Sequence, residues 1–113
     1  MSVAPIPAVT RAAQQVCASI TDPLDRACAL ADLLDAIIQE ARRMNTPAYV
    51  RLDALTRALA CAAHNETANP DESHRLLVTA CGSARVQHAW LSSVARIAPD
   101  TPPTIAFQQR NAP

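Results

Sequence analysis

The chain has 113 residues and no net formal charge, with ten arginines, no lysine and ten acidic residues. That length fits one domain. It has no run of the ~20 apolar residues that crosses a bilayer and no basic-then-apolar start over Met1 to Pro7, which argues against secretion and for the cytoplasm. The balanced charge likewise argues against a strong sequence-independent nucleic-acid binder, whose phosphate contacts need a basic excess.

Prolines punctuate the sequence. Asp22-Pro23, Thr46-Pro47 and Asn69-Pro70 each set an N-capping side chain before a residue whose fixed φ and missing N–H suit the first helical position. These prolines lie 24 and then 23 residues apart, room for helices of roughly six turns joined by links of about two to four residues. Links that short make neighbouring helices antiparallel.

The first segment, Pro7 to Ile20, carries Val9, Ala12, Ala13, Val16, Cys17 and Ile20 at three- and four-residue steps, which predicts a short amphipathic helix. In the second, Pro23 to Met44, one ridge holds Leu24, Ala27, Cys28, Ala31, Leu34, Ile38 and Ala41, and another holds Leu30, Leu33, Ile37 and Met44. Two ridges predict contact with more than one neighbour. Asp25 in its first turn and Arg42 and Arg43 in its last match the helix dipole at both ends.

In the third segment, Pro47 to about Glu66, the spacing predicts a buried side of Ala48, Leu52, Leu55, Leu59, Ala62 and Ala63, opposite Tyr49, Asp53, Arg57 and His64. The fourth runs from Pro70 to about Ala98. Leu76, Leu77, Ala80, Ala84, Leu91, Val94, Ala95 and Ala98 line a face, with Val86, Trp90 and Ile97 on a flank. Gly82 and Ser83 fall near its middle, and one continuous helix is the favoured reading. After Ala98 the periodicity stops in a proline-rich tail whose Thr-Ile-Ala-Phe sets Ile105 and Phe107 as an isolated apolar pair, either a frayed end or a short docking segment.

Alanine supplies 24 residues, while Leu, Ile, Val, Met, Phe, Trp and Tyr together supply 28, so the 50% hydrophobic fraction overstates the core. Abundant alanine with a single glycine favours helix. Abundant alanine and arginine without lysine is also what a GC-rich coding sequence produces, which points to a bacterial origin.

Residues with chemical potential are few. Cys17, Cys28, Cys61 and Cys81 form no Cys-x-x-Cys pair and fall on or beside apolar helix faces, which predicts reduced, buried thiols acting as small hydrophobes. Cys17 and Cys28 flank the first link and meet the geometry of a disulfide only if they face one another in an oxidising compartment. Cys61, His64 and His74 flank the third link and, if they converged, would suit zinc, though the short-spaced second pair of structural zinc motifs is missing. His74, Cys81 and His88 repeat every seven residues, too far apart along a helix to share one ion, and read as a polar border.

His74, Arg85 and Arg96 repeat every eleven residues as a basic stripe near Arg75. It reads as a solvated face or as a contact for an acidic partner or nucleic acid, without the aromatics of single-strand binders. Asp53 and Arg57, four apart, read as an exposed ion pair rather than catalytic machinery. No glycine-rich phosphate loop, His-Glu-x-x-His or Gly-x-Ser-x-Gly pattern occurs.

The sequence therefore predicts an all-α antiparallel up-down bundle of about four helices over residues 1–98 and an extended tail over 99–113. The expected function is that of a non-catalytic, cofactor-free bacterial adaptor or regulator in the cytoplasm. It would act by helix-face contacts as a homodimer or with a protein partner, away from membranes. Trp90 with Val86 and Ile97 forms the expected anchor, supported by Arg85 and Arg96 and by Ile105 and Phe107 of the tail. A helix wrapping back on the bundle would instead bury that flank internally. The alternatives are a nucleic-acid-binding regulator using the basic face of the last helix, and a zinc sensor at Cys61, His64 and His74.

Overall fold

Local signals at each proline decide where the helices begin. The structure, a computed structural model, describes residues 6–97, and these are all-α: α1 (Pro7–Ser19), α2 (Pro23–Arg43), α3 (Ala48–Glu66) and α4 (Pro70–Ile97). Asp22 caps α2, its Oδ2 accepting the Asp25 amide at 3.0 Å. Asn69 caps α4, its Oδ1 accepting the amides of Asp71 at 2.9 Å and Glu72 at 3.3 Å. Both satisfy amides that the first turn leaves without a partner.

Thr46 departs from the expectation. Pro47, with ψ near 153°, is itself the cap residue of α3, with no side-chain cap bond, and the helix starts one residue later at Ala48. The reason lies in the end of α2. Asn45 takes the left-handed conformation (φ 65°), its amide donates to the Arg42 carbonyl, and the Thr46 amide donates to the Ala41 carbonyl, both at 3.0 Å. This paired closure is a Schellman motif, with asparagine in the position glycine usually takes. Thr46 is thus committed to ending α2, and its own carbonyl accepts Arg51 Nε at 3.1 Å.

α4 runs unbroken through Gly82 for 28 residues, about 42 Å at 1.5 Å per residue. A Cβ at Gly82 would meet nothing within 4 Å. Gly82→Ala is therefore expected to stabilise the chain by about 0.8–1.0 kcal/mol, raising the melting temperature by several degrees in calorimetry. An unchanged or lowered transition would show that the helix needs its glycine.

Each helix packs chiefly on its neighbours in sequence: α1 on α2, α2 on α3, and α3 on α4. The first hairpin is tied by Arg26 of α2, whose Nη2 donates to the Cys17 carbonyl at 2.9 Å and Nε to the Ile20 carbonyl at 2.8 Å. One guanidinium thus satisfies two carbonyls at the C-terminal end of α1, where a cation also suits the dipole. Arg26→Ala should cost about 1–2 kcal/mol and speed amide exchange selectively in α1, while equal acceleration throughout would remove this local role. In the last hairpin, Ser73 Oγ of α4 donates to the Ala63 carbonyl of α3 at 2.9 Å.

Burial is where the structure departs most from the apolar periodicity. Ala63, 9% exposed, is the only residue among those described that counts as buried. The face predicted as buried in α3 is open at Ala48, Leu52, Leu55 and Ala62 and half-covered at Leu59. On α2, Leu24, Leu34 and Ile37 are exposed, as is Met44 at its C-terminal cap. The cysteines follow suit: Cys17, Cys61 and Cys81 are exposed, Cys28 is half-buried, and all four are free thiols. Alanine stumps let helices approach but cover little area, and a helix that packs chiefly on its sequence neighbours has no third element to close over its remaining stripe.

Candidate interaction surface

Large apolar side chains stand exposed on all four helices, and two surfaces bring several of them together with a charged residue. Between α2 and α3, Ala31, Leu34, Asp35 and Ile38 face Leu55 around a groove of about 260 Å³. Leu34 is 53% exposed and Ile38 is half-buried. On the same two helices, Leu52 stands exposed three residues before Leu55, and Leu24 stands exposed towards the start of α2. Asp35 is the groove's only charged lining residue; its carboxylate accepts Gln39 Nε2 at 3.4 Å. An aliphatic floor with one carboxylate at the rim is suited to receiving apolar side chains and one cation.

The second surface is the flank of α4. Val86 is 69% and Ile97 84% exposed, whereas Trp90 between them is half-buried and engaged within the chain. The predicted anchor is therefore divided: two aliphatics stand open and the indole is partly covered. Ser92 and Ser93 turn their hydroxyls onto the carbonyls of His88 and Ala89, each at 3.1 Å, so their donors are satisfied by the helix itself. Ile105 and Phe107 lie outside the described residues.

The arginines sort into paired and unpaired. Arg43 pairs with Glu40 and Arg75 with Glu72, each at 3.4 Å, and Arg57 with Asp53 at 2.6 Å, each pair within one helix and all the partners exposed except the half-buried Glu72. The hydrogen bond and charge of Asp53 push the Arg57 guanidinium above its ordinary value, fixing a cation rather than creating an acid or base near neutral pH. Arg85 and Arg96 are exposed and make no ion pair among the described residues.

Cys61, His64 and His74 are all exposed, and among the described residues no group of three or more His, Cys, Asp or Glu side chains is placed to hold a metal ion. Cys61 Sγ instead accepts a weak contact from Asn65 Nδ2 at 3.8 Å within its own helix. Likewise no described helix is long and apolar enough to cross a membrane.

Sequence periodicity misses the groove because it assigns Leu34, Ile38 and Leu55 to a core. The two apolar ridges on α2 are met by α1 and α3, which both pack on it; the signal that points to an open groove is the small supply of large side chains available to cover it. No family model, curated protein or solved structure matches this chain.

Proposed function

We propose that this chain is a non-catalytic helix-face interaction module, a small bacterial adaptor or regulator of the cytoplasm that works as a homodimer or with a protein partner. One observation carries the reading: large aliphatic side chains stand exposed on all four helices while Ala63 alone is buried among the described residues. Single exposed leucines are ordinary on any surface, but contiguous stripes of them at helical spacing are the make-up of an interface. The groove supports the same reading, since four of its five lining residues are aliphatic.

The test combines absolute mass by light scattering over a concentration range, at low and moderate salt, with binding of an apolar-surface dye. Assembly into dimers, with dye binding that falls as the dimer fills, is the expected result. A folded monomer at every concentration that binds no dye would overturn the reading, because its apolar faces would then be covered from within.

A further inference from the structure

The groove between α2 and α3 is the position a fourth helix occupies in a closed bundle, yet α4 packs chiefly on α3. We propose that this groove receives α4 of a second copy of the chain, in a reciprocal two-fold exchange that pairs Arg85 with Asp35. The proposal rests on the interaction-module reading and names its partner.

Chemistry and length both fit. Val86 and Ile97 are the two most exposed aliphatics of α4, eleven residues or about 16 Å apart on one face. On α2, Leu34 at the groove and Leu24, exposed near the helix start, are ten residues or about 15 Å apart along the axis, on one broad apolar face. An α4 running antiparallel to α2 therefore sets Val86 among Leu34, Ile38 and Leu55 and Ile97 beside Leu24, the spaced-anchor mode of helix-in-groove recognition.

Charge fixes the register. With Val86 directed into the groove, Arg85 turns to its rim, where Asp35 is the one charged lining residue. Neither side chain has an ion pair within the chain among the described residues, so cross-pairing breaks no existing one. Two-fold exchange fills both grooves at once and closes the assembly as a dimer rather than a filament.

The experiment is a charge swap read by sedimentation or light scattering. Both residues are exposed, so Asp35→Arg and Arg85→Asp should each leave helicity, and the melting temperature of the dilute monomer, near those of the unmodified chain. Each is expected to raise the dimer dissociation constant at least about tenfold at low salt, and the two together in one chain should restore it to within about threefold. A dimer indifferent to both single changes, or a double variant as weak as the singles, overturns this register while leaving the interaction-module reading in place. A monomer that binds the apolar dye removes the second copy as occupant but keeps the faces available to another protein. A monomer that binds no dye removes both.

Discussion

Exchanging Val86 and Ile97 for serine together is expected to weaken self-association by about four orders of magnitude while leaving helicity unchanged. Each aliphatic contributes roughly 1.5 kcal/mol when it leaves water, the low end for burial of a full side chain, and a two-fold dimer loses the pair from both copies, about 6 kcal/mol in all, or about four orders of magnitude in dissociation constant. Both residues stand largely in solvent within the single chain, so the substitutions remove little internal packing. Trp90 is the informative contrast. Its half-covered ring means that Trp90→Ala should lower both association and the melting temperature of the dilute monomer, whereas the serine pair should lower association and leave the monomer's melting temperature unchanged. A serine variant that assembles like the unmodified chain would show that α4 presents some other face to its partner.

Ala63→Leu is expected to be the most disruptive conservative change to the fold. Ala63 is the one buried side chain among the described residues, and its carbonyl receives the Ser73 hydroxyl that ties α3 to α4. Extra methylenes here must push the two helices apart or adopt an unfavourable rotamer, at a cost of about 1–3 kcal/mol. In a chain of this size each kilocalorie corresponds to about 4–8 °C of melting temperature. Thermal unfolding checks the magnitude, and hydrogen exchange checks the place: protection should fall in α3 and α4 before α1. A melting temperature within a degree of the original would mean that the α3–α4 contact is loose enough to absorb the added volume.

The helices themselves are legible in the order of the amino acids. Asp22 and Asn69 cap as their position before proline implies. α4 continues through Gly82 because one glycine costs only about 1 kcal/mol, set against a long run of better helix formers and a proline start. Thr46 is the exception. The Thr-Pro pair has the form of a cap site, but the preceding helix claims the Thr46 amide through the turn at Asn45. That is a local competition between two helix ends across a four-residue link, and the pair of residues at the cap site does not reveal it.

Burial is legible only in kind. Periodicity says which residues share a face, and it places Leu34, Ile38 and Leu55 on apolar faces correctly; whether a face is covered depends on what the other helices do. The lean supply of large side chains warns that one chain will not cover them all. Four helices, their approximate starts and their apolar stripes follow from residue order alone, because capping, proline geometry and 3.6-residue periodicity act within a few residues of one another. That α4 packs along α3 and leaves the α2–α3 groove open emerges at the level of helix packing. Covering a stripe requires area supplied by residues distant in the chain, and no local rule says which helix will provide it.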